Sequence, residues 1–238
     1  MRTSRVAGLL FLATATLAQQ QSVEITSEPS HHLVFQNEYV RVFDVTVAPR
    51  ATTLIHRHHS DYLFVTLGDS DVVSTRVGEK PVALHLKDGE VRYTPGNFAH
   101  AAGNESDRPF HNITIELLKP STNVKTCTEA CLENLQCGNS NGGLCPATEK
   151  RISSDQWTIS LVTLPPSSSA ENLLHSDPQM VVAVSDIDLK VQATSSSDNL
   201  KRATGGLAWI PDGTSHAVVN KAKEPARFIT LEFKADKS

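Results

Sequence analysis

Several things this chain lacks narrow what it is. Its basic residues never gather into a block, and 22 Lys and Arg against 26 Asp and Glu leave a formal charge of -4. Nothing in that balance favours nucleic acid or an anionic membrane surface. No apolar run reaches the roughly 20 residues that a helix needs to cross a bilayer. Outside one short stretch, no segment carries the spacing of an amphipathic helix. Cysteine is scarce as well: there are four, all between positions 127 and 145. What remains is a β-rich chain whose partners are small molecules or other proteins.

What the chain does have is a repeat. Adding 116 to each position carries Gly89, Pro95, His100, Ala101 and Asn104 onto Gly205, Pro211, His216, Ala217 and Asn220. The same shift pairs Pro49 with Pro165, His59-Ser60-Asp61 with His175-Ser176-Asp177, Pro109 with Pro225, Thr114 with Thr230 and Glu116 with Glu232. One offset kept without gaps over more than sixty residues indicates a duplicated domain. It is too long for a solenoid unit of about 20–50 residues. Two domains also suit a length of 238 residues.

Residues 1–18 read as an export signal. Arg2 and Arg5 form the positive start, an apolar run follows from Val6 to Leu12, and Thr16-Leu17-Ala18 offers a small-residue cleavage site. The expectation is a periplasmic or secreted protein with no stable membrane span after cleavage. Residues 19–30 read as a loose polar lead-in, with His31 and His32 at its end expected on the surface. From there to 119, short segments rich in Val, Thr and aromatics alternate with Gly and Pro turns every 8–12 residues, and 154–238 repeats that order. This is the pattern of an all-β sandwich or barrel.

Residues 120–153 fit neither copy and hold Cys127, Cys131, Cys137 and Cys145. The stretch 126–136 reads as a short helix that places Cys127 and Cys131 one turn apart. An even cysteine count in an exported chain points to disulfides, here with Cys127 and Cys131 pairing outward to Cys137 and Cys145. A four-thiolate zinc site is the competing reading, although the spacing supplies only one of the usual paired knuckles.

The residues that could carry chemistry cluster in the first copy. On an extended strand, residues two apart face the same side, so His56 and His58 can point inward together. His100, after the turn shaped by Pro95 and Gly96, can meet them from a neighbouring strand. Three imidazoles with open positions suit Fe, Mn, Ni, Cu or Zn. In the second copy the shift of 116 puts Asn172 and Leu174 at the first two positions, leaving His216 and His175, which predicts a degenerate site there. Asp61, Tyr62 and His111 are further candidates for the first site, as general acid or base. His85 sits on a strand that lines the barrel in the same reading, outside any motif. The Asn-x-Ser/Thr triplets at Asn104 and Asn112 read as incidental.

These motifs resemble those of the cupin superfamily. Gly205-x5-Pro211-x-Gly213-x2-His216-x3-Asn220 is similar to the second cupin motif at every named position, and residues 89–104 match it with the second glycine one place early. His56-x-His58 followed by Asp61 and Gly68 resembles the first motif, in which a Glu follows the H-x-H pair. The resemblance covers both copies and implies two tandem double-stranded β-helix (jelly-roll) barrels, the bicupin arrangement. It implies His56, His58 and His100 as metal ligands and leaves the carboxylate position between Asp61 and Tyr62. It also implies a range of functions. These are a metal-dependent enzyme of dioxygenase, isomerase or decarboxylase type, a metal-free module binding a small polar ligand, and a structural protein that pairs with its own copies.

Overall fold

Branched and aromatic residues at alternating positions leave this backbone few choices besides extended chain. The computed structural model describes residues 21–127, 132–134, 146–174, 177–192, 197–211 and 216–234, with the backbone alone for 132–134, Asn172 and His216. The first half contains β1 (Val23–Glu24), a single 3-10 turn (Ile25–Ser27), β2 (His31–Gln36), β3 (Val40–Val47), β4 (His56–His58), β5 (Tyr62–Leu67), β6 (Ser70–Arg76), β7 (Val82–Leu86), β8 (Val91–Thr94), β9 (Phe98–Asn104) and β10 (Phe110–Leu117). The second half contains β11 (Lys125–Thr126), β12 (Leu132–Asn134), β13 (Ala147–Ser153), β14 (Trp157–Leu164), β15 (Ser169–Leu174), β16 (Gln179–Ala183), β17 (Ile187–Gln192), β18 (Ser197–Arg202), β19 (Leu207–Ile210), β20 (His216–Asn220) and β21 (Ala226–Phe233).

Each half forms two facing sheets. In the first, the order β1-β4-β9-β6-β7 faces β2-β3-β10-β5-β8. In the second, β15-β20-β17-β18 faces a seven-stranded sheet of order β11-β13-β14-β21-β16-β19, with β12 beside β13. Two jelly-roll barrels in tandem result. No helix among the described residues is long and apolar enough to cross a membrane.

Three expectations about the chain's organisation need correction. The lead-in is not loose: Val23 pairs in parallel with His56, which adds β1 to the edge of β4. Of the stretch 126–136 expected as a helix, Thr126 lies in β11 and Leu132–Asn134 in β12, both paired with β13, while 128–131 and 135–136 lie outside the described residues. An open strand edge there offers backbone partners that outweigh local helix preference. Cys131, Cys137 and Cys145 lie outside the described residues, as does the export segment; no described cysteine is a free thiol. Finally, β13 occupies in the second barrel the place of β2 in the first, with matching bulges at Leu33/Phe35 and Lys150/Ile152. The second barrel therefore begins before residue 154.

The repeat also has a register break. Phe110 faces Val47, whereas its counterpart Ala226 faces Leu164, so the shift along β3 and β14 is 117. Arg50 and Ser167, both at positive φ (58° and 56°), obey the same larger shift. Asp61 thus corresponds to Pro178: their carbonyls accept from Leu117 and Phe233 respectively. The triplet match of His59-Ser60-Asp61 does not follow the fold.

Strand alternation divides the first barrel's residues between two environments. On β10, Ile113, Ile115 and Leu117 point outward and join Val40, Val42, Leu63 and Val65 in one buried cluster with Trp157, Ile159, Met180, Ile229 and Leu231 of the second barrel. The barrels are thus welded sheet to sheet by a shared apolar layer. Gly89 sits against Arg227 and Val184, while Gly205 sits against His111 and Leu67. Since these are equivalent positions, the two barrels meet about a pseudo-twofold axis. On the other face of β10, Asn112, Thr114 and Glu116 turn into the lumen.

Candidate metal centre

The lumen of the first barrel encloses a cavity of about 420 Å³. Its chemistry comes from a row across one sheet: His56 on β4 lies opposite His100 on β9, which lies opposite Arg76 on β6. His58 follows His56 on the same face, with both imidazoles buried and Arg57 between them turned away. The turn that delivers His100 is seated on the loop after β4. Asp61 Oδ1 accepts from the Gly96 N–H at 2.8 Å, and the His58 carbonyl accepts from Asn97 at 2.8 Å. A Cβ on Gly96 would stand 2.4 Å from the Ser60 carbonyl carbon, so only glycine allows this approach.

A fourth imidazole joins the row. His31, expected on the surface, is buried, and its ring centroid lies 4.5 Å from that of His56. One ring nitrogen from each of His31, His56 and His58 can be chosen so that all lie within 4.8 Å of one another. His100 Nε2 is 3.3 Å from His58 Nε2.

Three of the four rings are hydrogen-bonded from behind through Nδ1, and the fourth, His58, faces a carboxylate there. His31 Nδ1 donates to Glu28 Oε2 at 2.6 Å, and His56 Nδ1 donates to the Leu54 carbonyl at 2.9 Å. His100 Nδ1 is 3.1 Å from Ser74 Oγ, and His58 Nδ1 lies 3.4 Å from Glu116 Oε1. For His31 and His56 the acceptor fixes the tautomer and leaves the lone pair on Nε2. Partners of this kind orient metal-binding histidines. His56 Nε2, His58 Nδ1 and Glu116 Oε1 are buried without a hydrogen bond. Buried polar atoms are seldom left this way unless an ion or water completes them.

The electrostatics keep the rings of His56, His58 and His100 neutral. Burial, reinforced by the neighbouring His31, pulls His56 down to about 4, and burial with His56 and His58 alongside pulls His100 to about 2. His58 is also lowered by burial, although Glu116 opposes the shift. Burial raises the carboxyls of Glu28 and Glu116, but His31 outweighs it at the first, and His58 with Arg41 at the second, leaving both below the usual range. Glu116 Oε2 receives Arg41 Nε at 2.8 Å and Nη2 at 2.5 Å. The result is a cluster in which His56, His58 and His100 are unprotonated and the neighbouring carboxylates Glu28 and Glu116 are ionised.

The other expected residues separate. Tyr62 lines the cavity and stacks on His58 at 4.0 Å between centroids, and burial pushes its phenol up to about 12. Asp61 is turned away: its second oxygen accepts from Tyr93 at 2.5 Å, so it serves the turn and not the cavity. His111 faces outward beside the second barrel, 2.7 Å from Asp44. His85 pairs with Asp71 and His59 with Glu24, all four exposed. Asn104 and Asn112 are buried. Asn104 donates to the carbonyls of Val47, Ala48 and Arg108, as Asn220 does to Leu164, Pro165 and Glu224. The shared asparagine is therefore a strand clamp.

Among the described residues, the second barrel keeps the frame and has an apolar side chain in place of His56. Leu174 stands opposite His216 where His56 stands opposite His100, because β15 carries one more residue in its bulge than the first barrel does. Leu174, and not Asn172, thus replaces His56; the position of His58 and the predicted His175 fall outside the described residues. Leu164, Leu174, Leu189, Val218 and Phe228 fill the interior.

Comparison with solved structures identifies the architecture. The chain is similar to AerE from Microcystis aeruginosa, with a TM-score of 0.59 and 12% identity over 87% of this chain and 99% of that one. It is also similar to a variant of oxalate decarboxylase from Bacillus subtilis, with a TM-score of 0.57 and 13% identity over 82% and 69% of the two chains. The fold is that of the cupins. A further structure of oxalate decarboxylase, with a TM-score of 0.57 and 14% identity over 85% and 70%, was studied for its Mn(II) centres. At these identities the likeness is one of fold. No family model and no curated protein matches the sequence.

In this cupin fold, the Glu that the first motif would supply is absent from the lumen. Sequence reasoning missed the residues that stand nearest the imidazoles instead: His31, Glu28 and Glu116. A signal for Glu116 was available, since it is a lone acid between Ile115 and Leu117 on a strand buried on both faces.

Proposed function

We propose that the N-terminal barrel binds a divalent transition metal through His56, His58 and His100, with His31 as a fourth imidazole, and presents it to a small molecule in the cavity. The observation that carries this reading is the set of buried imidazoles, three of them anchored through Nδ1, with His56 Nε2 left unsatisfied. An all-imidazole set suits Fe, Ni, Cu or Zn better than Mn, which prefers oxygen donors. The metal would supply a Lewis-acid centre for a ligand oxygen. The chain's own residues do the rest. Glu28 and Glu116 hold the rings, Tyr62 stays protonated and can donate a hydrogen bond, and the barrel walls restrict water. Export and a disulfide framework among the cysteines remain part of the proposal, with the second barrel as a rigid partner.

A metal-free binding barrel is the second reading, favoured by the apolar half of the cavity. Metal content of the purified full chain separates the two, measured beside His56→Ala, His58→Ala and His100→Ala. Near-stoichiometric metal that falls sharply in each variant supports the centre. Absence of metal, or unchanged content in all three variants, removes it.

A further inference from the structure

The cavity has two chemically different ends. Along the inward face of β10, Phe110 gives way to Asn112, Thr114 and Glu116, and along β3 Val47 and Val45 lead to Phe43 and Arg41. At the far end Val45, Val47, Phe64, Val72, Leu84 and Phe110 line an apolar wall. At the near end stand the imidazoles, the Tyr62 hydroxyl and Arg76.

Arg76 is the group without a structural duty. It is half-buried, lines the cavity and lies across the strand pair from His100. Its guanidinium sits 4.1 Å over the Phe98 ring, a contact that holds its orientation and uses none of its five N–H donors. Among the described residues it has neither an ion pair nor a hydrogen bond. The other charges on the wall differ: Arg92 donates to Glu90 at 2.7 Å, and Glu79 and Lys80 are exposed on the turn between β6 and β7. A half-buried, pre-oriented guanidinium with free donors is suited to receive a carboxylate in bidentate fashion.

We propose that the lumen takes an organic acid whose carboxylate is received by Arg76 beside the imidazoles, and whose apolar tail lies along the wall from Phe64 to Phe110. A cavity of about 420 Å³ falls within the range of small-molecule sites, so the acid has room for an aliphatic or aryl tail. The inference rests on the lumen being a ligand site, as in the proposed function. It needs the metal only as a neighbour.

Titration calorimetry on the full chain, with hexanoate and phenylacetate as probes and hexanamide and phenylacetamide as uncharged controls, tests it. Metal content is determined on the same samples. The acids should bind and the amides should not. Arg76→Gln should weaken acid binding on the order of ten- to hundredfold, the usual worth of a charge-assisted contact, with metal content unchanged. Arg76→Lys should restore part of the loss. Amides binding as well as acids, acids failing to bind the native chain, or Arg76→Gln binding acids like the native chain would overturn the inference. Missing metal in the native chain counts against the metal centre alone. The amide control needs no variant and so does not depend on how Arg76→Gln folds.

Discussion

Replacing Glu116 by Gln removes one negative charge from a fully buried position while keeping its shape. Oε2 of Glu116 accepts two bonds from Arg41, and Oε1 lies 3.4 Å from His58 Nδ1. Breaking a buried charge pair from one side costs about 3–5 kcal/mol. The Arg41 side chain keeps 25% exposure, so water takes over part of its solvation. The expected loss is therefore about 2–3 kcal/mol. Urea unfolding with a chelator present reads this directly through Trp157 and Trp209, which lie in the layer between the barrels. The same substitution releases the His58 ring from behind, and metal affinity should fall on the order of ten- to hundredfold. A variant with the native urea midpoint and the native affinity would refute the role given to Glu116.

Acid should destabilise the metal-free protein in a defined window. The folded value of His56, about 4, lies below its ordinary 6.5, so between those pH values the unfolded chain binds more protons and stability falls as pH drops. Its full contribution, about 3 kcal/mol, is present above 6.5 and lost by about 4. Unfolding in chelator at stepped pH checks this, and His56→Leu should flatten the slope. Asn104→Ala and Asn220→Ala each remove a clamp of three side-chain donor bonds and should each cost about 2–3 kcal/mol. Differential denaturation of the two variants should show similar losses, since the clamps are equivalent; a neutral effect at either site would deny that equivalence.

The sequence carried the barrels and the meeting of His56, His58 and His100 because both depend on short, regular patterns. Alternating Val and Thr specify strands, and His-x-His places two rings on one side of a strand whatever surrounds it. His31 was hidden because its burial depends on Glu28, which ties Ser30 and Leu54 to the ring, and long-range anchoring of this kind leaves no periodic trace. Glu116 was visible as a repeated residue, yet its direction is known only once β10 is seen to be lumen-facing at even positions. The gapless shift of 116 misled at His59-Ser60-Asp61 because single-residue differences in turns move a register without disturbing composition. That error assigned Asn172 where the fold places Leu174.

In the proposed function, imidazoles of the first barrel, and not the cysteines, hold the metal. X-ray absorption at the metal edge of the purified full chain tests this most directly. The expected spectrum has a first shell of nitrogen at about 2.0–2.1 Å, the usual zinc–imidazole distance, with the outer-shell scattering of several imidazole rings. Absence of a metal edge, or a sulfur shell near 2.3 Å of the kind about four thiolates would give, would contradict it.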